Sequence, residues 1–378
     1  MNQLENLLFS LIKYGVEGKE IPKAEETSPQ MLAEVCNLAN SHDLLHLVSH
    51  AISSLGVIDE GTPFFAALEH ERLKAIYRAE RISNELSALC ALFDEENIDY
   101  IPLKGSVIRN AYPEPWMRTS SDIDILMRED DAERAAALAV ERLGYRNDGK
   151  ARYDIQLFSP TGLHFELHFA LVEGDPKIDA VLDEVWEHAT GGNRKKLDDG
   201  MFVFYHLAHM AKHCLHGGCG VRPILDLWVL ESIAHVDISA AIPLLERSGL
   251  KQFYDGATQL CSAWFSGKEH TPLSSEFSYF LLGAGVYGNL ENHVAANSNR
   301  LKYTLSLIFP SPESLANTYP VLKKHKWLLP ICHLRRWLRL IFCGGLSRSA
   351  KTLKTISTID SKKQKRTLSL FDKLGLDK

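Results

Sequence analysis

The stretch Ser121-Asp-Ile-Asp-Ile-Leu-Met127 constrains this chain more than any other. Carboxylates alternating with apolar side chains fit an extended strand, in which residues two apart share a face. Asp122 and Asp124 then project side by side while Ile123 and Ile125 point into a core. Adjacent carboxylates repel one another, and a divalent cation relieves the repulsion; magnesium is typically held by one or two carboxylates together with substrate phosphates. The pair predicts a sheet with one charged face. It also predicts that neither acid serves packing, so that Asp122→Asn and Asp124→Asn leave the protein folded, with metal-free stability held or raised.

The surroundings of that strand extend the pattern. Tyr100–Leu103 reads as a short apolar strand that runs into Lys104-Gly105-Ser106 and then a helical turn from Val107 to Ala111. A glycine at such a turn lets backbone amides approach a phosphate, while Lys104 brings a charge and Ser106 a hydroxyl. Arg118 offers a fork of donors suited to phosphate, or else forms a surface ion pair. Asp154–Phe158 and Leu163–Leu171 read as further strands. Between them and the paired acids, Asp130–Leu143 places Ala132, Ala135, Ala136, Ala139 and Leu143 on one helical face, and Gly144 follows as the expected cap. In His164-Phe-Glu-Leu-His168, apolar residues alternate with His164, Glu166 and His168. Glu166 is therefore the expected third acid, with Asp154, beside Arg152, as its rival. His168 either orients a carboxylate or is structural.

The remainder is helical in texture. Ser28-Pro29 and Thr62-Pro63 each pair a capping residue with a proline suited to the first helical turn. After Gly200 helical periodicity returns, and His206, His209, His213 and His216 fall along one face of a helix over Met201–Leu215. No HExxH and no further ligand group at metal spacing accompany them, so a zinc site is not predicted. That helix is expected to pack near the acidic cleft, with Arg222 and Asp226 following as polar contacts. The expected organisation is a helical region over 1–97, a catalytic core over 98–198, a helical domain over 199–345 and a basic tail over 346–378.

Composition narrows the setting. The seven cysteines are odd in number, scattered and without a CxxC pair, which excludes a disulfide framework and points to a reducing, cytoplasmic location. Met1–Val16 is an amphipathic helix without the marks of a signal peptide. Arg335, Arg336 and Arg339 interrupt the apolar stretch Trp327–Leu346, so no membrane span is expected. The net charge of −6 conceals an asymmetry: Val321–Lys378 holds fifteen Lys/Arg against three Asp/Glu. This basic end, with Trp327, Trp337 and Phe342 among its charges, suits RNA, an acidic membrane surface or plain solvation. Ser361–Lys378 is expected as a short basic helix or a disordered end.

A Gly-Ser at a strand-to-helix turn followed by Asp-x-Asp on the next strand resembles the signature of DNA polymerase β-like nucleotidyltransferases. Leu103-Lys-Gly, Ala111-Tyr-Pro, Arg118, Ser121-Asp-Ile-Asp-Ile-Leu, Leu143-Gly-Tyr145 and Glu166-Leu-His168 together look like an uncharacterised bacterial nucleotidyltransferase family that often accompanies polysaccharide and natural-product gene clusters. The gap from Ser106 to Asp122 is longer than usual there, and Glu166 stands where an Asp is common. The resemblance implies an α+β fold, a small mixed sheet with helices as the catalytic core, flanked by N- and C-terminal helical regions. It implies transfer of a nucleoside monophosphate from a nucleoside triphosphate, ATP first, to a small-molecule, RNA or protein acceptor, with pyrophosphate released. Asp122, Asp124 and Glu166 would be catalytic and would hold two Mg²⁺ ions, with Mn²⁺ as the substitute. Lys104, Gly105, Ser106 and Arg118 would bind the nucleotide. The other reading is a silent nucleotide-binding or scaffold protein that retains the fold.

Overall fold

The structure, a computed structural model, describes residues 2–20, 28–286, 288–296, 308–316, 318–342 and 360–376. It is an α+β protein in which a small mixed sheet is set among helices. Four helices lead: α1 (Gln3–Glu17), α2 (Pro29–Ser41), α3 (Leu45–Leu55) and α4 (Pro63–Glu95). The anticipated start signals operate, since the Ser28 and Thr62 side chains accept from the amides of Met31 and Phe65 and a proline follows each. Such caps satisfy amides that the helix itself leaves without partners.

The sheet contains β1 (Tyr100–Pro102), β2 (Asp122–Met127), β3 (Arg146–Lys150), β4 (Asp154–Phe158) and β5 (His164–His168), in the order β1-β2-β5-β4-β3. β2 and β5 run parallel; the other neighbours are antiparallel. Between β1 and β2 lie the helical turn α5 (Gly105–Ile108) and short 3₁₀ turns. α6 (Glu129–Leu143) ends at Gly144, whose φ of 70° suits glycine. Alternation sorts the side chains by face. Ile123, Ile125, Met127, Ile155, Leu157, Phe165 and Leu167 pack in one cluster with the alanine stripe of α6 and with Leu89 and Phe93 of α4. Asp122, Asp124, Gln156, His164, Glu166 and His168 are left to the opposite face.

β3 has no counterpart in the sequence reading because all five residues of this edge strand are exposed, so no apolar alternation marks it. After the short helix α7 (Pro176–Leu182), the hairpin of β6 (Ala189–Gly191) and β7 (Lys195–Leu197) is likewise too short to leave a periodic signal.

The charged face looks toward α8 (Asp199–Leu215) and α9 (Arg222–Ser232), which lead a helical layer with α10 (Ile242–Ser248), α11 (Lys251–Phe265), α12 (Pro272–Leu282) and α13 (Leu290–Ala295). α1–α3 join the same apolar core as α8, α9 and α11. Phe9 of α1, for example, stacks on Trp264 at 4.3 Å and meets Phe265 edge-on. Helices far apart in sequence thus bury one continuous interior that backs the cleft.

Among the described residues three further helices follow before the tail: α14 (Pro312–Ala316), α15 (Val321–Lys324) and α16 (Leu329–Phe342). Residues 346–359 and 377–378 of the basic tail lie outside the described residues. The rest of the tail forms α17 (Ser361–Lys373) and docks: Leu370, Phe371, Leu374 and Leu376 join the main core, and Lys363 and Lys373 pair with Glu291 and Glu276.

Candidate active site

The parallel register of β2 and β5 sets Asp122 opposite His164, Asp124 opposite Glu166 and Leu126 opposite His168. Asp124, Glu166 and His168 come together so closely that one ligand atom from each lies within 4.8 Å of the others. His168 Nε2 is 2.7 Å from an Asp124 oxygen and 3.3 Å from one of Glu166. Lys104 Nζ lies 3.2 Å from the same Asp124 oxygen, Oδ1. Burial alone would raise the Asp124 pKa, but the Lys104 ammonium and His168 more than offset it and hold the carboxyl well below the usual range. His168 is also buried, which alone would lower its pKa; its bonds to Asp124 and Glu166 push it up to about 9. Two cations therefore lean on Asp124. Asp122 stands outside this knot, half-buried, accepting from Ser121 Oγ at 3.2 Å.

Glu166 sits in register with Asp124 on the neighbouring strand, and its pKa is lowered chiefly by the hydrogen bond with His168. Asp154 lies one strand farther out, opposite His168, and does not join the close donor group. Burial raises its pKa.

The Lys104-Gly-Ser turn carries strain and a close approach. Lys104 takes φ 44°, a conformation that residues with side chains seldom adopt. A Cβ on Gly105 would lie 3.1 Å from Ser120 Cβ, and Arg118 Nη1 would be 3.7 Å away. Ser120 is buried and accepts from Arg109 Nη2, while Arg109 Nε donates to the Gly105 carbonyl at 3.0 Å. Ser106 is buried, donates its hydroxyl to the Leu103 carbonyl and does not line the cleft, so here it closes the turn.

Arg118 lies in the cleft wall and is paired, but the pair is buried rather than on the surface. Its Nε donates to Asp226 Oδ1 at 2.7 Å, the oxygen that also accepts from Tyr112 at 2.8 Å. Asp226 is fully buried; that alone would raise its pKa, yet Arg118 holds it down. Arg222 Nη1 donates to the Thr119 carbonyl at 2.9 Å and to Asp43 at 3.1 Å. The 118–121 loop is thereby tied to α9 and to the α2–α3 corner.

A cavity of about 310 Å³ lies between these parts. Lys104, Gly105, Arg118, Ser120, Ser121, Asp122 and Asp124 form one side; α8 supplies Phe202, Tyr205, His206, His209, Met210 and His213, and α9 supplies Arg222 and Asp226. His216 faces elsewhere, its Nδ1 2.7 Å from the Lys212 carbonyl. His209 Nδ1 is 3.0 Å from Oε1 of buried Glu173, and Lys212 Nζ is 3.0 Å from Oε2. Burial and Lys104 lower the His209 pKa, so at neutral pH an uncharged imidazole donates to Glu173 while Lys212 supplies the countercharge. Among the described residues, no close group of three metal ligands includes these histidines.

Sequence reasoning missed Ser120, Ser121, Tyr205 and Glu173. The two serines immediately precede the paired acids and were legible as polar neighbours; Tyr205 reaches the cleft, and Glu173 the groups behind it, only through the tertiary fold.

A mixed sheet thus carries clustered carboxylates on one face, with α8 and α9 over the cleft. A family described as an uncharacterised nucleotidyltransferase matches residues 28–266, and the chain belongs to it. No curated protein and no solved structure matches significantly.

Proposed function

We propose that this cleft transfers a nucleoside monophosphate from a nucleoside triphosphate, ATP first among candidates, to an acceptor hydroxyl and releases pyrophosphate. The observation that carries the reading is the alignment of Asp124 with Glu166 across two parallel strands, with Asp122 beside them at the cleft.

Mg²⁺ fits this donor set. Asp122, Asp124 and Glu166 offer the oxygen ligands that hard cations prefer, and Asp124, Glu166 and His168 each bring a ligand atom within 4.8 Å of the others. Bound there, magnesium or manganese would neutralise phosphate charge and polarise the reacting oxygens. The chain's own groups do the rest. Lys104 faces the cavity as a phosphate ligand, while Arg118, which also lines it, is committed to Asp226 and holds the wall; Gly105, where a side chain would meet Ser120, lets the 118–121 loop close against the turn. Glu166 accepts the acceptor's proton, since its lowered pKa keeps it ionised at neutral pH. His168 orients both carboxylates. Phe202, Tyr205 and Met210 give the nucleoside or the acceptor an apolar surface. We place the reaction in the cytoplasm.

The engagement of Asp124 by Lys104 and His168 supports a second reading, a silent nucleotide-binding scaffold. Incubation with Mg²⁺, each labelled nucleoside triphosphate and cell extract separates the two. Transfer of label or release of pyrophosphate, abolished by Asp122→Asn, is expected; tight nucleotide binding without turnover for any nucleotide would establish the scaffold.

A further inference from the structure

We propose that α16 and the groove beside it dock this protein on an anionic membrane surface. Residues 321–342 carry six Lys/Arg and no Asp/Glu. α16 has two unlike faces. Cys332 and His333 are buried, and Arg336 and Trp337 each donate to the Ile308 carbonyl at 3.2 Å, so this side is the packed one. Ile331, Leu334 and Leu338, spaced i, i+3 and i+7, are exposed on the other side, and Trp327 just ahead of the helix is 73% exposed. Arg335 and Arg339 run along one flank of this apolar stripe. They also line, with Tyr319, Val321 and Leu338, an open groove of about 780 Å³.

Charge complementarity selects the occupant. α17 commits Lys363, Lys373 and Arg366 to the protein itself, through the Lys363–Glu291 and Lys373–Glu276 pairs and the stacking of Arg366 on Tyr279, whereas of the two flanking arginines of α16 Arg335 only lies over the Tyr319 ring at 5.9 Å. The arginines of α16 instead flank exposed aliphatic side chains, the combination that lets a helix lie in a bilayer interface with its apolar side among acyl chains and its cations at anionic headgroups. A nucleic acid would use the arginines but has nothing to offer Ile331, Leu334 and Leu338. At fourteen residues α16 is too short to span, and no helix among the described residues is long and apolar enough to do so.

The test is co-sedimentation of the full chain with vesicles of phosphatidylcholine alone or mixed two to one with phosphatidylglycerol. Binding to the mixed vesicles, weakened by salt, is expected. Each arginine contributes about fivefold, so Arg335→Ser with Arg339→Ser should cost roughly twenty-five-fold. Ile331→Ser with Leu334→Ser and Leu338→Ser, all at exposed positions, should abolish binding. In the unmutated chain, vesicles should shift tryptophan emission to the blue, and Trp327→Phe should remove most of that shift. No binding to the mixed vesicles overturns the proposal. So does binding that the aliphatic variant leaves intact, or stronger capture by polyuridylate that is lost only with the arginines.

Discussion

Asp124 and Asp226 are both buried aspartates that line the same cavity and touch a basic side chain, yet the balance of charge around them differs. Asp226 accepts from Arg118 and from the Tyr112 hydroxyl through Oδ1, so its charge meets a guanidinium, while its buried Oδ2 has no hydrogen-bond partner among the described residues. Asp124 shares its sheet face with Asp122 and Glu166; Lys104 and His168 stand against these acids, and His164 Nδ1 lies 3.8 Å from Glu166. A matched buried pair belongs to the architecture, because removing either member strands the other charge. A face with surplus carboxylate keeps an affinity for further cations, as a site for metal and triphosphate requires. The two regions should therefore fail in different ways when mutated.

The largest effect is expected at Asp124. Asp124→Asn should lower magnesium-dependent transfer by at least about 10³-fold, since several kcal/mol of transition-state stabilisation rest on its charge. The sequence reading expected neither acid to matter for stability, and the structure divides that expectation. Asp122 is half-buried and, among the described residues, is hydrogen-bonded by Ser121 alone, so Asp122→Asn should inactivate while the thermal midpoint holds. Asp124→Asn leaves Lys104 and His168 short of a counterion and should lower the midpoint as well. Thermal unfolding of both variants without metal, read beside a turnover assay, checks the division; equal midpoints would remove the distinction between the two acids.

Next in size is the third acid. Glu166→Gln should reduce turnover by roughly 10²–10⁴-fold with nucleotide affinity much less changed, because it removes a base while Asp122 and Asp124 remain. Asp154→Asn should be nearly silent, since Asp154 lies a strand beyond the donor group. Assay of both at saturating nucleotide decides between them, and activity lost only in Asp154→Asn would move the base to β4.

The matched pair should show the opposite signature. Asp226→Ala or Arg118→Ala is expected to cost about 3–5 kcal/mol of stability, as a buried charge loses its partner. Urea unfolding measures this. Asp226→Asn with Arg118→Met should recover part of the loss, because it removes both charges together. A double variant as unstable as the sum of the singles would show that the two residues do not act as a pair.

The contrast also explains what the sequence made legible. Asp122, Asp124 and Glu166 announce themselves because strand alternation is local: the Ile-Asp-Ile and Phe-Glu-Leu patterns fix which way each side chain points before any partner is known. The alanine face of α6 and the caps at Ser28 and Thr62 are local in the same sense. Asp226 sits 108 residues from Arg118, and Glu173 36 from His209, so no spacing rule relates them. Ser106 was read as facing phosphate because it follows Gly105; the carbonyl of Leu103 takes its hydroxyl instead, a competition that a motif does not reveal.

The smallest effect expected concerns Glu173, which belongs to the matched class although it lies behind the cleft. Burial alone would raise its pKa, but the His209 hydrogen bond and the Lys212 ammonium bring it down to about 2, from an ordinary 4.5. A carboxyl whose folded pKa is depressed contributes stability that is fully present above its unfolded value and is lost as pH falls through the folded one. Glu173 should therefore add up to ~3 kcal/mol near neutrality, and that contribution should drain away between about pH 5 and pH 2. His209, kept neutral by burial, favours folding in the same direction, since protonating it below its ordinary range costs the folded state. Comparison with Glu173→Gln isolates the carboxylate. The two proteins should differ most at pH 7, and the gap should narrow steadily from pH 5 to pH 3 in denaturant titrations. A gap that stays constant over that range would mean that Glu173 acts through shape or hydrogen bonding alone, and that its charge is not matched to Lys212 in the way Asp226 is matched to Arg118.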